Sequence, residues 1–296
     1  MFVLTLLSSP ERPRLAPEDV ESLRARWKGG KVRWLAEAEA AEFTLAREPE
    51  DFWTGWDHYQ AAGIDLLLQP EAGRRKRMLL ADMDSTMIRQ ECIDELAHVA
   101  GVGDRVAAIT ARAMNGELDF EAALRERVSL LRGLPESVIA KVLRDRITPM
   151  PGGPELLATM KAFGAHTVLV SGGFLSFARP VADRLGFHEA HANTLLARGG
   201  LLTGEVQEPI LGREAKVATL QAVTQRLGLT PRDVLAVGDG ANDLGMLRLA
   251  GLGVALHAKP AVQAQCSLRV NHGDLTALLF LQGYARSDIV APGATA

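Results

Sequence analysis

Three short apolar runs, each ending abruptly in acidic, hydroxyl or glycine residues, constrain this chain more than any other feature. Met78-Leu79-Leu80-Ala81 stops at Asp82-Met83-Asp84-Ser85-Thr86, and His166-Thr167-Val168-Leu169-Val170 stops at Ser171-Gly172-Gly173. Val234-Leu235-Ala236-Val237 stops at Gly238-Asp239-Gly240-Ala241-Asn242-Asp243. A helical pattern follows each. Strands that are apolar throughout are buried on both faces, and their alternation with helices implies parallel pairing. The expected fold is therefore α/β, a doubly wound parallel sheet. Such sheets bind ligands beyond the carboxyl ends of their strands, so the residues after each run are the candidate functional residues.

The rest of the chain divides around this pattern. A length of 296 residues suggests about two domains at roughly 150 residues each. Residues 1–74 read as a small α+β unit. It has strands at Phe2–Leu7, Val32–Leu35, Glu42–Ala46 and Ile64–Leu68, and helices at Pro17–Trp27 and Pro49–Ala62. Residues 75–296 hold the sheet, interrupted at about 90–147 by a helical insertion. Gly199-Gly200 between two short alternating runs reads as a β-hairpin. Arg74-Arg75-Lys76-Arg77 reads as a solvated connector, and the tail from Arg286 to Ala296 as frayed.

Composition narrows the class. Lys plus Arg number 33 against 36 Asp plus Glu, a formal charge of −3, which argues against a nucleic-acid binder. Cys92 and Cys266 are the only cysteines, so a disulfide framework is excluded and reduced cytoplasmic thiols are expected. No apolar run approaches the roughly 18 residues that span a bilayer, and the apolar start Met1–Leu7 lacks the flanks of a signal peptide. The expectation is a cytoplasmic protein with no membrane partner.

The strand ends carry the chemistry. Residues two apart on extended backbone point the same way, so Asp82 and Asp84 converge. Ser171 with Gly172 and Gly173 offers a hydroxyl and flexible amides to an anion. If a helix starts after Gly238, Asp239 and Asp243 are four apart and face one spot. Lys216 sits at the start of a predicted helix between the second and third runs. Four converging carboxylates repel, and a hard divalent cation with all-oxygen ligands relieves this, which suits magnesium. Lysine, hydroxyl and amides are phosphate donors. Together they suggest phosphoryl transfer with an aspartate nucleophile.

Asp82-Met83-Asp84-Ser85-Thr86 with Ser171-Gly172, Lys216 and Gly238–Asp243 resembles the haloacid-dehalogenase (HAD) superfamily. Glu91, Met114, Leu118-Asp119-Phe120 and Arg127–Leu131 narrow the likeness to its phosphoserine phosphatase family, in which the insertion forms a cap over the site. The resemblance covers about Met78 to Tyr284. It implies a HAD-like Rossmannoid core that hydrolyses O-phosphoserine, the last step of serine biosynthesis. Asp82 is implied as nucleophile, Asp84 as acid and base, and Asp82, Asp84 (through its carbonyl), Asp239 and Asp243 as the magnesium site. Ser171, Gly172, Lys216 and Asn242 would take the phosphate. Glu91 would take the substrate ammonium and Arg127 its carboxylate, while Met114 and Phe120 exclude water. The first unit resembles the amino-acid-binding, ACT-like modules that precede such phosphatases, with a regulatory or dimerising role and a homodimer in prospect.

Two other functions fit less of the pattern. One is a phosphotransferase or phosphatase acting on another small amino-alcohol phosphate, with the same core and a different cap. The other is an amino-acid sensor with a vestigial catalytic half, which the intact set Asp82, Asp84, Lys216, Asp239 and Asp243 opposes.

Overall fold

The computed structural model of the chain describes residues 1–114 and 117–293, the side chain of Met114 excepted. Its first unit comprises strands β1 (Phe2–Ser8), β2 (Arg33–Ala36), β3 (Ala40–Leu45) and β4 (Ile64–Pro70), with helices α1 (Pro17–Arg26) and α2 (Phe52–Ala61). The strands form an antiparallel sheet in the order β2-β3-β1-β4, the ferredoxin-like arrangement of a β-α-β-β-α-β chain. Alternation sorts its faces. Leu4, Leu6, Phe43 and Leu66 pack with Val20, Leu23 and Phe52 beneath the helices. Leu7, Leu35, Ala40 and Leu67 on the other face join the core of the second unit, with Leu279 and Tyr284.

That second unit is built on β5 (Met78–Ala81), β6 (His166–Phe174), β7 (Glu189–Asn193), β10 (Val234–Gly238), β11 (Leu252–Leu256) and β12 (Leu268–Val270). The hairpin β8 (Leu195–Arg198) and β9 (Leu201–Val206) stands apart. The six strands pair in parallel, in the order β12-β11-β10-β5-β6-β7. Leu79 and Ala81 feed one core cluster, with Leu156, Phe177 and Leu279. Met78 and Leu80 feed another, with Leu220, Val223 and Met246. Both faces are covered, as continuous apolar strands require.

Four helices form the insertion: α3 (Cys92–Val99), α4 (Gly103–Met114), α5 (Phe120–Ser129) and α6 (Ser137–Asp145). The sheet is wrapped by α7 (Gly153–Ala162), α8 (Leu175–Leu185), α9 (Arg213–Arg226), α10 (Leu244–Leu249), α11 (Pro260–Gln263) and α12 (Ala277–Leu281). Gly199 and Gly200 both take positive φ, 62° and 77°, the turn a two-residue hairpin needs. No described helix is long and apolar enough to cross a membrane.

Three expectations need correction. Asp239–Asp243 is a turn, and the helix begins only at Leu244, because Asp243 folds back to cap the turn by accepting from Gly240 N at 2.9 Å. The basic run is no free connector. Arg74 makes a two-pronged bond to Glu42, at 2.8 and 2.9 Å, and Arg75 stacks over Tyr284. The tail is tied down through its first residues. Arg286 pairs with buried Glu39, and Val290 N donates to Thr159 Oγ1 at 2.9 Å.

Candidate active site

The site is assembled where β5, β6 and β10 end side by side. Asp82 N donates to Val237 O at 3.0 Å, which fixes the first residue beyond β5 against β10. From there Asp82 and Asp84 face the site, while Met83 is fully buried in the core. Strand β6 runs four residues further than its apolar part, to Phe174, and its register against β7 shifts between Val170 and Phe174. Such an irregularity re-aims side chains, and here Ser171 and Gly173 face Asp84 while Gly172 faces Phe120.

Lys216, 2% exposed, lies between two carboxylates, with Nζ 2.6 Å from Asp82 Oδ1 and 2.6 Å from Asp243 Oδ1. Burial alone would lower its pKa, but Asp82 and Asp243 more than offset this and hold it above the usual lysine range. Asp82 is pushed well up by burial and by Asp243, against the pull of Lys216. Asp239 is raised by burial and by Asp243, and Thr86 Oγ1 donates to its Oδ1 at 3.0 Å. Oxygens of Asp82, Asp239 and Asp243 all lie within 4.8 Å of one another. This hard, anionic, oxygen-only donor set with its mutual repulsion fits a divalent cation. The side chain of Asp84 is not part of that group. It accepts from Cys92 N at 2.7 Å and Ser171 Oγ at 3.0 Å, and burial raises its pKa despite these bonds.

Above these groups lies a cavity of about 670 Å³, walled by the core and by the insertion. Asp82, Asp84, Ser171, Gly172, Asp239 and Asn242 line it from the core, and Glu91, Phe120 and Arg127 from the insertion. Phe120 stands directly on the core. A Cβ at Gly172 would lie 3.0 Å from its Cζ, and one at Gly212 would lie 3.4 Å from its Cδ1. Glu91 accepts from Ser85 Oγ at 2.7 Å, across a turn in which Ser85 takes a left-handed φ of 55°. Crowding by surrounding protein, and then the charge of Asp84, push the Glu91 pKa up to about 7. Arg127 Nε donates to Ala123 O of its own helix, and among the described residues no carboxylate forms an ion pair with it. Met114 ends α4, and its side chain lies outside the described residues. Cys92 is buried, which pushes its thiol up, as befits a packing residue.

The structure also brings in residues that sequence reasoning missed. Buried Asn193, at the end of β7, donates to Gly172 O at 2.9 Å and Leu211 O at 3.2 Å, and accepts from Leu211 N at 2.7 Å. It thereby pins the glycine segment. Thr86, the last residue of the first acidic motif, orients Asp239 through its hydroxyl. Arg213 and Lys259 line the cavity. The strand-end rule applied to Leu252–Leu256 reaches Lys259 three residues on.

Known proteins resemble the chain along this same stretch. The family model for haloacid dehalogenase-like hydrolases matches residues 79–248. A phosphoserine phosphatase of Haemophilus influenzae is 48% identical over 204 residues, 69% of this chain and 65% of that protein. The chain thus spans just under two thirds of that relative's length. A probable phosphoserine phosphatase of Schizosaccharomyces pombe is 39% identical over 277 residues, 90% of this chain and 91% of that protein. The crystal structure of a HAD-family hydrolase from Salmonella enterica serovar Typhi superposes with a TM-score of 0.83 at 30% identity, covering 95% of this chain and 98% of the other.

Proposed function

The chain belongs to the haloacid dehalogenase-like hydrolase family, and from that premise we propose that it is a magnesium-dependent phosphomonoesterase acting on O-phosphoserine. The observation that carries the substrate class is the presence of Glu91 and Arg127 on the wall of one cavity. Opposite charges of the insertion line the cavity whose core side holds Asp82, itself backed by buried Lys216. An ester with an ammonium and a carboxylate on one carbon meets both. The relatives named phosphoserine phosphatase support the same reading.

In this reading Asp82 attacks phosphorus, forming an aspartyl-phosphate as the bond from phosphorus to the serine oxygen breaks. Asp84, whose raised pKa suits it to carry a proton, delivers that proton to the departing oxygen. It then takes a proton from the water that attacks phosphorus and releases Asp82. Lys216 fixes the orientation of Asp82 and, with Ser171 and the amide of Gly172, faces the charge that develops on the phosphoryl oxygens. Asn242 helps orient the phosphate, and Phe120 keeps bulk water out. Asp82, Asp239, Asp243 and the Asp84 carbonyl would hold magnesium, which when bound polarises the phosphoryl group and offsets its charge. Residues 1–74 form an ACT-like unit with a regulatory or dimerising role, packed on the catalytic unit, and the enzyme is cytoplasmic.

A panel of phosphomonoesters assayed with magnesium and with chelator tests this. The expected result is magnesium-dependent turnover highest for O-phosphoserine, and a loss for Arg127→Ala that is far larger on it than on p-nitrophenyl phosphate. Equal rates across the panel would overturn the substrate, and full activity in chelator the metal.

A further inference from the structure

The cavity holds more positive charge than the reaction above uses. Lys216 is held between Asp82 and Asp243 and assigned to the transferred phosphoryl group, and Arg127 is assigned to the substrate carboxylate. Two further cations line the same cavity from the core side. These are Arg213, the first residue of α9, and Lys259, immediately before α11. Both are exposed, and among the described residues neither side chain hydrogen-bonds to the protein or pairs with a carboxylate.

The backbone that carries Lys259 is fixed on both sides. His257 takes a left-handed φ of 46°, its N–H donates to Val270 O at 2.8 Å, and its Nε2 donates to Gly273 O at 2.8 Å. Gln263 Nε2 donates to Ala258 O at 2.6 Å, and Val262 N to Lys259 O at 2.9 Å. A non-glycine residue persists at positive φ only where its surroundings hold it there. The segment is thus held firmly while its lysine is left free, an arrangement for presenting charge.

Charge at this rim has a purpose. Asp82, Asp84, Glu91 and Asp239 line the same cavity, and their field opposes an approaching phosphate. Cations beside a cleft with low-dielectric walls raise the association rate of an anion by roughly 10-fold or more.

We propose that Arg213 and Lys259 form a cationic rim that draws in anionic phosphate esters and favours those of higher negative charge. This rests on the phosphomonoesterase reading. It assigns selectivity among substrates to core residues outside the motifs.

The test uses Arg213→Gln, Lys259→Gln and the double variant, assayed with magnesium on O-phosphoserine and O-phosphoethanolamine at low and high ionic strength. The first ester carries about two net negative charges and the second about one. Attraction scales with charge, so the double variant is expected to lose about tenfold in kcat/KM on phosphoserine and about threefold on phosphoethanolamine at low salt. The loss should fall in KM, and the salt dependence should flatten. Arg213→Lys and Lys259→Arg should keep the wild-type values, which a structural role in a fixed contact would not predict. Unaltered kcat/KM and salt dependence in an active double variant, or an equal loss in kcat on both esters, would overturn the rim alone. A wild-type protein inactive on both esters would overturn the phosphatase reading, and the rim with it.

Discussion

Lys216 Nζ lies 2.6 Å from Oδ1 of Asp82, with both side chains almost completely withdrawn from water. Asp243 closes the other side at 2.6 Å. A buried charge set of this kind is balanced only while every member is present. Removing one partner leaves an uncompensated buried charge, at a cost of about 3–5 kcal/mol.

Lys216→Met should therefore lose about 3–5 kcal/mol of unfolding free energy without metal as well as essentially all turnover. Magnesium should raise the melting temperature of the variant, because it binds the folded state and offsets Asp82 and Asp243. Urea unfolding and thermal melts with and without magnesium check both. A variant as stable as wild type would mean that the two carboxylates are neutral without the lysine.

Phe120 over Gly172 gives a second prediction, on closure. Any side chain at Gly172 meets the Phe120 ring, already 3.0 Å from a bare Cβ. Gly172→Val should raise KM and lower kcat about tenfold or more, as small displacements from productive geometry do. Adding Phe120→Ala should recover part of the loss, since the two residues are in contact and their effects do not add. Steady-state kinetics of the two single variants and the double variant decide this. Additive losses would mean that Phe120 does not touch Gly172 in the working enzyme.

Glu91 ties recognition to pH. Its carboxyl, at a pKa of about 7 in the free protein, is neutral below that value and charged above it. Only the charged form attracts an ammonium. For O-phosphoserine, kcat/KM, which reports groups of the free enzyme, should rise as pH increases through about 7. In Glu91→Gln this limb should vanish and kcat/KM should fall at least about tenfold at high pH. An unchanged pH profile in the variant would remove Glu91 from ammonium recognition.

The contact between the two units can be tested through Asp65. Fully buried, it accepts from Gln60 Nε2 at 2.8 Å, Asn271 N at 3.0 Å, and His272 N and Gly273 N at 2.9 Å each. Asp65→Ala orphans these donors. It should destabilise the protein by about 3 kcal/mol or more, since hydrogen bonds to a charged group contribute about 1.5–3 kcal/mol each. Urea unfolding followed by both tryptophan fluorescence and circular dichroism should then show the two units separating into distinct transitions. A single wild-type-like transition would show that apolar packing alone joins them.

Legibility in the sequence followed the range of the interactions. Met78–Ala81 carries its strand within four residues because burial on both faces leaves no polar position, and Asp82 and Asp84 follow at once. The hairpin was legible from Gly199-Gly200 because turn geometry is local. The helix expected from Asp239 failed because Asp243 caps the turn by folding back to Gly240, a choice that spacing does not reveal. Arg74 looked solvated because its partner, Glu42, is brought to it only by the folded sheet. Asn193 was hidden for the same reason, since its bonds to Gly172 and Leu211 join segments far apart in the chain.

The central claim is that Asp82 carries the phosphoryl group during turnover. Rapid acid quenching of the wild-type protein mixed with magnesium and radiolabelled O-phosphoserine, followed by peptide mapping, measures this directly. The expected result is acid-stable, hydroxylamine-labile label on the peptide containing Asp82, absent from Asp82→Asn, which should fold and yet release no phosphate. Label on any other peptide, or phosphate release by a folded Asp82→Asn protein, would contradict it.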